Sequence, residues 1–163
     1  MLKEIFSAGA KSIFSILVIT FLTSCAGTVS LEQMRKETEN FQLPKTPDEK
    51  SAIVYVVRPS MVGTIVRFNV FLDDKEYSSE MGYNRGAQYI YFKVTPGQHR
   101  IFSKAENWDE IGIDAQAGRT YFIQQFSKMG IIMARNSLSQ TTEDQGKYFV
   151  KESKPGTIYK TEK

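Results

Sequence analysis

The stretch AQYIYFKVTPGQHRIFSKA, residues 87–105, decides the fold. Its first half alternates: Ile90, Phe92 and Val94 point one way, Tyr89 and Tyr91 the other, as on a β-strand. Thr95-Pro96-Gly97-Gln98 follows. Pro96 presets φ for the first central position of a turn, and Gly97 supplies a positive φ at the second, a type II signature. The segment from His99 to Ala105 then resumes as a strand. A tight turn thus separates two strands, and strand signals recur on either side.

Upstream, AIVYVVRP (52–59) is β-branched and aromatic and stops at Pro59. TIVRFNVFL (64–72) runs into a turn at Asp73-Asp74-Lys75, and EYSSEM (76–81) is a weaker strand. Downstream, EIGIDA (110–115), TYFIQQF (120–126) and GIIMAR (130–135) complete about eight short strands. The absence of a helix-period run of useful length between Ala52 and Arg135 argues against parallel βαβ units. The expectation is a mainly β domain, an antiparallel β-sandwich of 7–8 strands, Ig- or transthyretin-like, with a C-terminal helix. That helix starts at Thr142, whose hydroxyl caps it, with Gln145 three residues on and Glu143 and Asp144 in the first turn. Gly146 weakens it by about 1 kcal/mol relative to alanine. Tyr148 and Phe149 give it a packing face.

The chain has 163 residues, 21 basic and 18 acidic, for a net charge of +3. Such a balance is not a nucleic-acid signature. One histidine and one cysteine leave no zinc set. His99 opens a strand after a Pro-Gly turn, where a ring that packs and bonds backbone is commoner than a catalytic or pH-sensing one. No serine sits in a nucleophile elbow. Asp73 and Asp74 fall short of the six or more oxygens of a calcium site. Glu106, Asp109 and Glu110 around Trp108 resemble the acid pair of a sugar hydrolase, yet a charged loop with one anchoring tryptophan is commoner. No catalytic residue, metal or cofactor is assigned, and the expectation is a protein that is not an enzyme.

The N-terminus reads as a targeting segment. Lys3 and Lys11 precede the apolar run Ile13–Leu22, which is too short to span a bilayer and right for a signal-peptide core. Leu22-Thr23-Ser24-Cys25 resembles the lipobox of bacterial lipoproteins. The resemblance implies diacylglycerol on the Cys25 thiol, cleavage between Ser24 and Cys25, and acylation of the new amine, palmitate among the chains. Ala26 in the next position implies the outer membrane, facing the periplasm. A buried thiol, an intermolecular disulfide and a nucleophile are weaker accounts of Cys25. The domain plan is then a signal peptide at 1–24, a lipid-anchored polar tether at 25–51, the sandwich and its helix at 52–155, and a solvated tail at 156–163. A frayed helix within Val29–Phe41 is allowed.

In this order and spacing, IVYVVRP, VFLDDKE, YFKVTPGQH and AGRTYFI resemble a family of small bacterial lipoproteins and secreted proteins known only as a domain of unknown function. The likeness runs from Ala52 to Phe149. Its turns are also similar to those of PEGA-type surface modules and, more distantly, transthyretin-like sandwiches. Asp74 stands where that family often has Gly, and Phe122 where it has a second Tyr. The resemblance implies fold and location but no reaction.

Function therefore has to come from surfaces. Strands 87–94 and 120–126 carry apolar bulk on both faces. Either one face is core and the C-terminal helix covers the other, or an exposed tyrosine patch binds a partner. Candidate partner-binding residues are Tyr89, Tyr91, Trp108 and Tyr121. The leading expectation is a membrane-held module that binds an envelope protein. Carbohydrate or peptidoglycan binding through Trp108 and surface tyrosines is the alternative, and a hydrolase is disfavoured. Arg58 reads as a surface anchor or, more commonly, a strand-end ion-pair partner.

Overall fold

The computed structural model describes residues 29–163. Cys25, the leader and the lipobox lie outside the described residues. The fold is a β-sandwich with a helical layer on one side. One sheet has the order β8-β7-β1-β4-β9 and the other β10-β3-β2-β5-β6. The strands are β1 (Ala52–Arg58), β2 (Phe68–Leu72), β3 (Glu80–Asn84), β4 (Gln88–Val94), β5 (Gly97–Lys104), β6 (Trp108–Ala115), β7 (Thr120–Met129), β8 (Ala134–Gln140), β9 (Lys154–Pro155) and β10 (Thr157–Ile158). A helix α1 (Leu31–Thr38) precedes them, and α2 (Glu143–Lys151) follows β8. Gly97 has the positive φ expected of it, 130°, but it already opens β5, and the bend at Thr95-Pro96 carries the chain from one sheet to the other rather than closing a type II hairpin: β4 and β5 do not pair.

Strand β1 organises the molecule. All seven of its residues are buried, because it is central and covered on both faces. Ala52, Val54 and Val56 face the other sheet, with Ile90, Phe92, Val94 and Ile123 beside them. Ile53, Tyr55 and Val57 face the helical layer, with Tyr89, Phe122 and Val150. The pairing of β1 with β4 is antiparallel, Ala52 opposite Val94, but its pairing with β7 is parallel, Ile53 opposite Thr120. This sheet is therefore mixed, while every pair in the other sheet is antiparallel. A parallel pair joins segments far apart in the chain, so no hairpin motif announces it.

The expected cap on α2 forms: the Thr142 side chain accepts from the Gln145 backbone N–H. The Gln145 side chain bonds the Thr141 hydroxyl at 2.6 Å instead of reaching back to the backbone.

Four sequence expectations are corrected. Residues 31–51 do not hang free as a tether. Ser30 caps α1, Arg35 pairs with Asp144 at 2.8 Å, and Phe41 and Leu43 pack into the second core. The Tyr55 hydroxyl then pins the chain by donating to the Lys45 carbonyl and accepting from the Lys45 N–H, both at 2.8 Å. An eight-residue polar helix is marginal alone, and this tertiary seat supplies what its sequence lacks. Residues 156–163 are not a loose tail either. Thr157 and Ile158 pair with β3, and Lys163 Nζ bonds the Leu72 carbonyl at 3.0 Å. Residues 64–67 lie in the β1–β2 loop, not in β2. The strand expected at 130–135 is instead β8, Ala134–Gln140; the apolar run 130–133 forms the turn before it.

Candidate functional site

The open tyrosine face does not exist. Tyr89 is buried at 5% exposure, and the outer face of the β1 sheet is closed by Phe41, Leu43, Phe149 and Val150. Tyr91 is half-buried against the same cluster, 5.5 Å from the Tyr55 ring. Tyr121 packs on the inter-sheet core, and its hydroxyl donates to the Asp114 carbonyl at 2.9 Å. Trp108 is partly exposed on the edge strand β6. Phe71 lies 5.1 Å from its ring, and the ammonium groups of Lys75 and Lys104 sit 5.3 and 5.2 Å from its centroid. The structure does not bring the four residues into one site.

The groups that could suggest chemistry are each tied into the framework. His99 bonds Asp73 through Nδ1 at 3.0 Å and the Thr95 carbonyl through Nε2 at 2.9 Å, so both ring nitrogens face acceptors. Asp74 accepts from the Glu76 N–H at 2.9 Å and from Lys163 at 3.0 Å, which hold its carboxyl down at about 2, together with the Ser79 hydroxyl that leads the shift. Asp109 accepts from the Leu138 N–H at 2.6 Å, and Glu110 pairs with Arg100. Among the described residues no three His, Cys, Asp or Glu side chains form a metal-binding group, and no helix is long and apolar enough to cross a membrane.

Two surface features remain, at opposite ends of the sandwich. The first is a cleft of about 790 Å³ where the chain leaving α1 passes the start of β7. Phe41, Leu43, Pro47 and Tyr121 give it apolar walls, and Arg119, Glu143 and Lys147 a charged rim. The second is an apolar end built from the β1–β2 and β7–β8 loops. Val62 is 66% exposed, Ile65 83%, Met129 95%, Ile131 90% and Ile132 87%. Strand β7 links the two. At about 3.4 Å per residue, the run from Tyr121 to Met129 separates them by roughly 27 Å.

The apolar end is rigidly built. Arg58 is fully buried rather than a surface anchor or ion-pair partner. Its guanidinium donates to the carbonyls of Val66 at 2.7 Å, Val62 at 2.9 Å and Gly63 at 2.8 Å, and lies 3.6 Å over the Phe68 ring. Five donors on a planar fork explain why arginine fills this place: it can gather three carbonyls of one loop. Burial pulls its pKa down to about 10, which leaves it charged at neutral pH. Across the groove, Glu106 accepts from the N–H groups of Ile131 at 3.1 Å, Ile132 at 2.8 Å and Met133 at 2.7 Å. Behind both loops a buried chain of amides joins the sheets: Asn84 Nδ2 donates to Gln125 Oε1 at 2.9 Å, and Gln125 Nε2 to Ser103 Oγ at 2.9 Å. The reading of 130–135 as a strand hid this end. The usable signal was an apolar triplet after Gly130 with no alternation.

The three N–H groups hold the Glu106 carboxyl below its ordinary value. A carboxylate with a depressed folded pKa contributes fully above the ordinary range near 4.5, and loses that contribution as pH falls through its lower folded value. Hydrogen exchange at Ile131–Met133, corrected for intrinsic rates, is expected to speed up on acidification below that range. Glu106→Gln should show fast exchange at every pH. Unchanged protection in the variant would mean that the loop holds itself.

The frame is thus that of a sandwich module with two presented ends and with His99, Asp73, Asp74, Asp109 and Glu110 held in framework contacts. Residues 48–138 match the model of a family described as protein of unknown function (DUF2846), and the chain belongs to that family. The chain is also similar to an uncharacterized protein of Haemophilus influenzae, 25% identical over 134 residues, which cover 82% of this chain and 77% of the relative.

Proposed function

We propose that the protein is a lipoprotein of the cell envelope, held by lipid on Cys25 at the outer membrane and facing the periplasm. Its folded body is a non-enzymatic module that receives a segment of an envelope protein in the cleft of Phe41, Leu43, Pro47 and Tyr121. The observation that carries the reading is that cleft of about 790 Å³, in which Phe41, Leu43, Pro47 and Tyr121 stand among polar and charged side chains, a mixed surface of the kind protein partners bind. The engagement of His99, Asp73, Asp109 and Glu110 in framework contacts supports a binding role over a catalytic one. Photo-crosslinkers placed at Gln42 and Gln116, in intact cells, are expected to capture one protein that a crosslinker at Arg85, at the other end, does not. The same products from all three positions would overturn the binding site. Mass spectrometry of the processed chain tests the anchor separately, and a free, unmodified thiol at Cys25 would overturn it.

A further inference from the structure

The apolar end calls for an occupant that accepts protruding aliphatic side chains. Met129, Ile131 and Ile132 stand almost wholly in solvent at the tip of the β7–β8 hairpin, and Val62 and Ile65 beside them on the next loop. Single exposed apolar residues need no explanation, but a contiguous group at one end does.

The charges behind the tip narrow the choice. Lys128 and Arg135 face each other across the hairpin, one rung behind Met129 and Ala134. Arg67 and Lys104 border the groove that Ile65, Tyr77 and Ile132 also line. Among the described residues none of these four cations is in an ion pair. Of the nearby acids, Glu106 stays anionic beside Arg135 but its oxygens are turned to three backbone N–H groups, and Glu80 is buried against Asn69. Glu76, beside Tyr77, is the exposed exception. A second copy would bring a like-charged collar against this one and be repelled.

We propose that this end docks on a bilayer surface containing anionic lipid. The order of groups along the hairpin matches the order of layers at such a surface. Aliphatic tips enter the acyl boundary, and cations one rung back meet headgroup phosphates. A protein partner would not require that order. Arg58 and Glu106 keep both loops shaped before contact, so docking orders little further chain. The proposal is independent of the cleft's role, but it fits with it. With the tip on the membrane, the cleft at the far end of β7 points away from the lipid.

The test uses the full chain purified from membranes and reconstituted in vesicles of phosphatidylcholine with 30% phosphatidylglycerol. An environment-sensitive fluorophore is attached at Ile132→Cys or, as a far-end control, at Gln98→Cys. Quenching by bromine on the acyl chains is expected to be several-fold stronger at 132 than at 98. Lys128→Gln with Arg135→Gln, both exposed and in no ion pair among the described residues, should bring 132 down to the control, as should removal of the anionic lipid. Equal quenching at 132 and 98 would overturn the proposal. So would strong quenching at 132 that ignores both charge and lipid composition. Counting labelled thiols by mass separates this from the anchor: two labels per chain would show Cys25 unlipidated, while the contrast between 132 and 98 still reports on the tip.

Discussion

Replacing Arg58 with alanine is expected to destabilise the fold by about 3–5 kcal/mol and to melt the β1–β2 loop first. The guanidinium is wholly buried and among the described residues no carboxylate pairs with it; what compensates it is three carbonyls, the Ser127 hydroxyl and the face of Phe68. Truncation removes all of these at once and opens a cavity beneath the loop. Two further variants separate the contributions. Arg58→Met fills the volume and abolishes the burden of a buried charge, so it should recover roughly half the loss. It leaves the carbonyls of Val62, Gly63 and Val66 without their donor, however, and exchange at the Val66 amide, bonded to Gly63 at 3.0 Å, should stay fast. Arg58→Lys keeps the charge but offers a point donor that cannot span three carbonyls, and it should be no better than Met. Urea unfolding with amide exchange reads all three. An alanine variant as stable as the parent, with Val66 still protected, would mean that the loop's shape does not depend on the arginine.

Arg58 also shows where the sequence stops being readable. Its position at the end of β1, before Pro59, was legible; its burial was not. An arginine at a strand end is usually solvated, and only the fold of residues 60–66 back over it, a contact with no periodicity, puts it inside. The strands themselves were legible wherever alternation was strong. Tyr89 and Tyr91 oppose Ile90, Phe92 and Val94 as expected, and Thr142 caps α2. Beyond alternation the signal weakened. β8 is polar, ARNSLSQ, because it is an edge strand positioned by its hairpin with β7, Met129 opposite Ala134, rather than by apolar content. The run Gly130–Met133 looked more like a strand than the real one did. What covers the second face of the β1 sheet depended on α1 and the segment to Leu43, whose composition reads as solvated. A few side chains, Met34, Phe41 and Leu43, decide otherwise. Of the candidate site, the tyrosines were visible in sequence but their cover was not, and the exposed apolar end was visible only as misplaced strand.

The same hidden layer reverses the expected effect of a substitution in α2. By helix propensity alone, Gly146→Ala should stabilise by about 1 kcal/mol. In the structure it should destabilise by roughly 2–3 kcal/mol, lowering Tm by on the order of 5–10 °C. Gly146 is buried in the helix, and its backbone is not in the left-handed region; the demand is for space. A Cβ there would lie 2.1 Å from Phe122 Cγ and 2.4 Å from Cδ1. The Phe122 ring has no room to yield, since it is 2% exposed and stacked 5.6 Å from Tyr55. The helix must therefore lift, and the burial of Val150 and Phe149 goes with it. Because α1 rests on α2 through Arg35–Asp144 and Lys151–Glu37, both helices should loosen together. Shrinking the ring tests the mechanism: Phe122→Leu is destabilising alone, but Gly146→Ala on that background should do markedly less harm than on the native one. Thermal melts of the four proteins in the cycle give the coupling directly. Additive effects, or a stabilised Gly146→Ala, would show that α2 does not sit on Phe122 as closely as the structure places it, and the account of how the second face of the β1 sheet is closed would fall with it.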